Sequence, residues 1–257
     1  METGQQPLLR AEGITKTFGA VRALNGVSIT VEPGRILGLI GPNGSGKTTL
    51  FHCVSGFLPM TSGTVIWRGR TVTGRRPEFL ARLGLVRTFQ HVMMFPELTV
   101  AEGVERAQQC SSRRLRDTAL TTSLPLDRDE IIQLAGLGPH RDQLLGVASY
   151  GIQRLANVAM ALATAPDLLM LDEPVAGLHP EESELLGALL RGIRDLGGTT
   201  LIIDHNMPFL MPLCDRMTVL AAGENLFEGS PAEVRASEAV AEVYLGRGDI
   251  ENATLRR

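Results

Sequence analysis

Lysine is almost missing from this chain. Of its 25 Lys plus Arg residues, only Lys16 and Lys47 are lysine. Cysteine is scarce as well. Cys53, Cys110 and Cys214 form no close pair and no metal-ligand spacing, which argues against a disulfide framework or a zinc site and fits a reduced, cytosolic compartment. No apolar run approaches the ~18 residues that a membrane-crossing helix needs. The opening Met-Glu-Thr-Gly-Gln-Gln has no apolar core of a signal peptide. If the protein works at a membrane, partners must hold it there. Neither sign of charge dominates: 28 acids against 25 bases give a net charge of −3, so no global affinity for nucleic acid is indicated. Local arginine groups exist at Arg68 and Arg70, at Arg75 and Arg76, and at Arg113, Arg114 and Arg116. They read as solvated faces. No internal repeat is present.

What is present is an ordinary globular composition, 44% hydrophobic and 21% charged over 257 residues. That is enough for one large α/β domain or two small ones. Its most specific stretch is Gly41-Pro42-Asn43-Gly44-Ser45-Gly46-Lys47-Thr48, which fits the P-loop pattern. The apolar run Ile36–Ile40 leads into it as a buried strand, and Thr49–Ser55 follows as a short helix that Gly56 can stop. Glycines at 41, 44 and 46 let backbone N–H groups curl around a polyphosphate, and the helix N-terminus adds its dipole. Lys47 would reach the β- and γ-phosphates and Thr48 would ligate Mg²⁺. A lysine kept here suits a site that wants a compact point charge rather than a planar fork.

Around this loop the pattern predicts short strands over Leu8–Phe18, Val27–Val31, Gly63–Trp67 and Leu83–Phe89, with turns at Pro33-Gly34 and Arg68-Gly69. A polar, helix-leaning stretch covers about 99–145, with a Ser/Arg/Thr-rich loop from Ser111 to Ser123. Then Ile152–Thr164 reads as a helix, Leu168–Leu171 as a buried strand, and Pro180–Leu196 as a helix with proline at its first position. Thr200–Ile203 and Met217–Leu220 are strands. Ser230-Pro-Ala-Glu233 is a capping box that opens a C-terminal helix. This predicts an α/β core, a small antiparallel sheet near the N-terminus and a helical insert.

Other candidates are weaker one by one. Leu168-Leu-Met-Leu-Asp172-Glu173 is a strand ending in two acids, of which one can hold Mg²⁺ and the other orient or deprotonate water. His205 after Leu201–Ile203 fits a structural polar residue as well as a site residue. Phe18 fits a core aromatic or a platform for a purine ring. Their order carries more weight: Phe18, P-loop, Gln90, Ser149-Tyr-Gly-Ile-Gln153, Asp172-Glu173, His205.

In that order the chain resembles, over essentially its full length, the nucleotide-binding subunits of ATP-binding-cassette (ABC) transporters. It is most similar to those of branched-chain amino-acid importers. The subgroup match rests on Gly38–Phe51, Arg87-Thr-Phe-Gln90, Ala176-Gly-Leu-His-Pro180, Leu213-Cys-Asp-Arg216 and Tyr244-Leu-Gly246. Urea-import and lipopolysaccharide-export ATPases are similar too. The resemblance implies a P-loop NTPase with a RecA-like core, an N-terminal antiparallel β subdomain and a helical subdomain. All belong to one ABC domain over 1–257, with about 1–90 and 151–257 as ATPase core and about 91–150 as helical subdomain.

It further implies that Phe18 stacks on adenine, that Gly41 to Thr49 cradles the phosphates, and that Gln90 touches Mg²⁺ or water. Asp172 is the Walker B aspartate, Glu173 the catalytic base, and His205 the switch histidine near the γ-phosphate. Ser149, Tyr150, Gly151 and Ile152 form a signature that closes over ATP bound to a second ATPase subunit. ATP and Mg²⁺ are the expected ligands. Integral membrane permease subunits are the expected partners, with an extracytoplasmic substrate-binding protein as an indirect one. The expected place is the cytoplasmic face of the membrane.

Three positions depart from the family pattern: Ile152 where glutamine is usual, Tyr150 for the first signature glycine, and His179 at a D-loop position that is usually acidic. Ile152 raises the reading of an inactive ATP-binding partner, which Lys47, Asp172, Glu173 and His205 oppose. A soluble ABC switch in DNA repair or on the ribosome is a further reading. Such proteins usually carry long coiled coils or a second cassette, and this sequence has neither.

Overall fold

The computed structural model describes residues 6–88, 95–111 and 126–245. In chain order the first elements are β1 (Leu9–Phe18), β2 (Val21–Val31), β3 (Ile36–Ile40), α1 (Lys47–Val54), β4 (Ser62–Trp67) and β5 (Arg70–Thr71). Then come α2 (Pro77–Arg82), β6 (Leu85–Arg87), α3 (Val100–Ser111), α4 (Arg128–Leu134), α5 (Tyr150–Ala163), β7 (Leu168–Asp172), α6 (Pro180–Asp195) and β8 (Thr200–Ile203). The chain ends in α7 (Met207–Leu210), β9 (Arg216–Ala221), β10 (Glu224–Gly229), α8 (Pro231–Ala236) and α9 (Glu238–Leu245).

These elements fall into two compact units, one drawn from Met1–Arg76 with Ile203–Arg257, the other from Pro77–Ile202. In the first, β2-β1-β4-β5 form an antiparallel sheet. Residues that alternate along β1 explain its one-sided burial: Leu9 and Ala11 face inward while Arg10 and Glu12 stay out. β3 lies parallel to β9, and β10 returns antiparallel on β9. All five residues of β3 are buried, as a parallel strand with both faces covered requires. Asp215 fixes the entry to β3, its carboxylate accepting the Ile36 amide at 2.8 Å.

In the second unit β7 stands between β8 and β6, parallel to β6. β7 is fully buried. The helices packed in this unit include α3 and α5, with apolar Val100, Val104, Leu155, Val158 and Leu162 buried. The start of α4 is a capping box, with Asp127 accepting the Glu130 amide and Glu130 accepting that of Asp127, both at 2.8 Å.

The expected strands and helices are present with shifted ends. β2 begins at Val21 rather than Val27, because its pairing with β1 continues through Lys16↔Leu24 and Thr17↔Arg22 to Phe18↔Val21. α5 begins at Tyr150 rather than Ile152, because the Ser149 hydroxyl accepts the Ile152 amide at 3.3 Å and caps the helix. α2, β5, α7 and β10 were not anticipated. The expected loop at 111–123 lies, after Ser111, outside the described residues. No helix among the described residues is long and apolar enough to cross a membrane.

Candidate functional site: a phosphate loop and a carboxylate turn

The P-loop joins β3 to α1 in the first unit. Gly41 has φ 148°, and a Cβ there would overlap the Leu220 carbonyl and come within 2.7 Å of Ser45 Oγ. Gly46, the N-cap of α1, has φ 101° and no room, with the Ala23 carbonyl 2.8 Å from where a Cβ would sit. Only glycine fits either position. The loop is clamped from the β9–β10 turn by Gly223 N–H donating to the Ser45 carbonyl at 3.1 Å. Lys47 is buried, and its Nζ donates to the carbonyls of Gly41 at 2.7 Å and Pro42 at 3.0 Å. The cation is thereby held over the loop by the loop's own backbone.

The donor set fits a polyphosphate. The Ser45 hydroxyl is buried with no hydrogen-bond partner, the first turn of α1 offers N–H groups, and Lys47 adds a charge. Tyr244 on α9 also faces this loop. Burial pushes its phenol up to about 12, the Gly41 backbone opposing the shift.

Phe18 ends β1 and is 46% exposed, so it is no core residue. The Lys16 ammonium lies 4.9 Å from its ring centroid and donates to the Pro59 carbonyl at 2.7 Å. The same ammonium opposes the upward shift that burial gives the Cys53 thiol on α1. Both lysines of the chain therefore stand around β1 and α1. His205, also in this unit, follows β8 in a turn built on buried Asp204. One Asp204 oxygen accepts the amides of His205 at 2.8 Å and Asn206 at 2.9 Å, with His205 Nδ1 3.8 Å away. The His205 side chain is 64% exposed.

The second unit holds the acids. Asp172 is the last residue of β7, and its Oδ2 accepts from Arg87 Nη2 on β6 at 2.8 Å. Both side chains are buried. Burial pushes the Arg87 pKa down, and the adjacent Asp172 carboxylate works against that shift. Glu173 opens the turn that follows, with a left-handed φ of 45°. Among the described residues no cluster of three His, Cys, Asp or Glu side chains could hold a metal ion by itself. A single strand-end carboxylate, here Asp172 beside Arg87, suits an ion that arrives with phosphates, as Mg²⁺ does.

The signature residues stand beside that turn. The Tyr150 ring comes within 3.2 Å of where a Cβ on Gly177 would sit. Gly151 faces the Glu182 carboxylate so closely that a Cβ would overlap it. That carboxylate also accepts the His179 amide at 2.9 Å at the start of α6. Gln153 does not point outward: its Nε2 donates to the carbonyls of Leu145 at 2.9 Å and Ala148 at 3.1 Å. Gln90 lies outside the described residues.

The ABC transporter profile matches residues 24–176, and that of the branched-chain amino acid ATP-binding cassette transporter matches 224–250. The chain belongs to the ABC transporter family. It is 38% identical over 251 residues to the high-affinity branched-chain amino acid transport ATP-binding protein LivG of Escherichia coli K12, covering 94% of this chain and 98% of that one. Identity to BraF of Pseudomonas aeruginosa, which carries the same description, is 36% over the same shares. Among solved structures, the ADP conformation of MJ1267, an ATP-binding cassette of an ABC transporter, superposes with a TM-score of 0.80 at 30% identity over 94% of this chain and all of that one. The ABC cassette is therefore a P-loop NTPase by fold and a transport ATPase by family, as its motifs imply.

Sequence reasoning missed Arg87, Asp204, Arg154 and Glu182. Only Arg87 had a signal, as part of the quoted Arg87-Thr-Phe-Gln90 run.

Proposed function

We propose that this chain is the ATP-hydrolysing motor subunit of an importer for branched-chain or related amino acids. The observation that carries the reading is the match to branched-chain ATP-binding subunits along nearly the whole chain, together with the subgroup profile over residues 224–250. A match confined to the P-loop would fit any ABC ATPase. The C-terminal segment favours the branched-chain subgroup over urea or lipopolysaccharide systems.

In this reading adenine stacks on exposed Phe18. Gly41, Pro42, Asn43, Gly44, Ser45, Gly46, Lys47, Thr48 and Thr49 wrap the phosphates, with backbone N–H groups, the Ser45 hydroxyl and Lys47 as donors. Thr48 and Asp172 are the residues of this chain that would hold Mg²⁺, with Gln90 beside them. The ion supplies charge neutralisation on the phosphate oxygens. Glu173 takes a proton from the attacking water, and His205, exposed on its Asp204-braced turn, meets the terminal phosphate. Ser149, Tyr150, Gly151 and Ile152 face the nucleotide of a second ATPase subunit. Permease subunits hold the pair at the cytoplasmic face of the membrane, and the permease with an external binding protein selects the substrate.

Glu173→Gln tests the assignment. In the complex with its membrane subunits, the variant should bind ATP as before and turn over 10²–10⁴-fold more slowly, the typical loss on removing a general base. Turnover within a few-fold of the parent would remove Glu173 from the role. Uptake of labelled leucine into proteoliposomes carrying the same complex tests the substrate class, and transport of urea but not leucine would overturn it.

A further inference from the structure

Arg154 is 2% exposed and stands first among the large, fully buried side chains. Nothing in the hydrolytic scheme above uses it. It lies on α5, one helical turn beyond the signature residues Tyr150 and Gly151. Nε donates to the Pro174 carbonyl at 3.1 Å, and Nη2 donates to the Glu173 carbonyl and to that of Asp172 at 3.4 Å. Three successive carbonyls of one turn thus converge on one cation.

The physical reason for an arginine here is its planar fork. It is always charged, carries five donors in fixed directions and has no acceptor. Buried, it requires several acceptors at once. The backbone that supplies them is unusual: Glu173 sits at φ 45°. An L residue other than Asn or Asp rarely adopts that region, and it persists only where surrounding structure enforces it. The three carbonyls around Glu173 share one cation.

The same face of α5 touches the segment after β7 twice more. Tyr150, four residues before Arg154 and so on the same side of the helix, covers Gly177, and Gly151 abuts Glu182. The first two turns of α5 are therefore docked along 172–182, from the catalytic acids to the start of α6. A shift of the signature end of α5 reaches the Glu173 turn through bonds already in place.

We infer that Arg154 is a positioning residue that holds Glu173 in its left-handed turn through the carbonyls of residues 172–174 and ties that turn to the signature helix. The inference rests on Glu173 being the base. It adds a cause for its backbone geometry and a route by which the signature, engaged by a second subunit, sets the base in the same chain.

The test uses the full chain with Arg154→Met and Arg154→Lys. Misplacement of a reacting group by about 1 Å costs on the order of 10²-fold, so kcat should fall by about that factor while ATP affinity, measured by equilibrium binding, stays unchanged. Lysine keeps the charge but cannot span three carbonyls, so it should not rescue. Full activity of Arg154→Lys, or a loss confined to ATP affinity, would overturn the inference.

A second measurement does not depend on turnover. Glycine adopts the left-handed turn without help. Arg154→Met should therefore lower Tm less in a Glu173→Gly background than in the parent. If Arg154→Met alone does not fold, adding Glu173→Gly should restore a cooperative transition. Equal Tm losses in both backgrounds, or no restoration, would show that Arg154 does not hold the turn. Wild-type rates for Glu173→Gln would instead remove the base assignment and leave the Tm result standing by itself.

Discussion

Two strand-to-helix turns of this cassette, both in the proposed ATP site, reach unusual backbone angles by opposite means. The P-loop uses glycine. Gly41 and Gly46 take φ values of 148° and 101°, and the backbone that crowds them leaves no space for a side chain. The turn after β7 has a glutamate at φ 45°, at a position where the proposed chemistry requires a side chain. There the conformation is imposed from outside, by a buried arginine on a neighbouring helix. Cations differ in the same way. Lys47 bonds to carbonyls five and six residues before it, whereas Arg87 crosses 85 residues to reach Asp172. The P-loop takes its angles and its cation from its own residues, with distant backbone clamping and crowding it, whereas the other turn draws its cations from distant elements.

The largest effect that would sharpen this contrast, after the loss expected for Glu173→Gln, is Arg87→Met. It removes the Arg87 partner of the buried Asp172 carboxylate, and breaking a buried ion pair from one side costs about 3–5 kcal/mol. Urea denaturation should show that loss as a lowered midpoint at unchanged slope. A change below about 1 kcal/mol would mean that Asp172 finds other partners and that the turn is less dependent on distant residues than the geometry indicates.

Lys47→Ala should act the other way round, on ligand rather than fold. A charge-assisted hydrogen bond is worth roughly 1.5–3 kcal/mol, about one to two orders of magnitude in ATP affinity. Stability should change less, by the modest net worth of the two hydrogen bonds that Lys47 makes to the Gly41 and Pro42 carbonyls. Labelled-ATP titration beside a thermal melt separates the two. Unchanged affinity would break the P-loop assignment, and a collapse in Tm would show that the loop is not self-contained.

The same contrast explains what the sequence made legible. The P-loop, its preceding strand and its helix could be read because every requirement is met within a dozen residues: glycine for the angles, an apolar run for the strand, a lysine for the phosphates. The cap of α8 was readable for the same reason, since Ser230 and Glu233 satisfy each other. Asp172 and Glu173 could be found as strand-end acids. Their supports could not, because Arg154 among the apolar residues of α5 and Glu182 among the acids of α6 have no local pattern that marks them. The N-terminal residues of β2 were missed because Val21–Gly26 mixes apolar residues with Arg22, Asn25 and Gly26 and has no clean alternation, and only pairing with β1 makes it a strand. By area alone the core reading of Phe18 was the safer one, and its exposure removes that reading.

The smallest expected effect concerns Ile152, and it tests whether the signature end of α5 tolerates a departure from the family pattern. Glutamine is usual there, and Gln153 next to it was the natural substitute. Gln153 is already committed to the Leu145 and Ala148 carbonyls and would have to abandon both to reach outward. An isoleucine side chain supplies no amide hydrogen bond. The signature of this chain should therefore hold a partner's nucleotide less tightly, by about 0.5–1.5 kcal/mol. Ile152→Gln should tighten ATP binding at the partner's site by roughly two- to tenfold while the site built on Lys47 and Glu173 is unchanged. If the partner is a different protein, inactivating the two catalytic glutamates one at a time gives the complementary reading. The change in this chain should remove most turnover, and the change in the partner less. Equal losses, together with no gain from Ile152→Gln, would show that isoleucine serves as well as glutamine and that the two sites work alike.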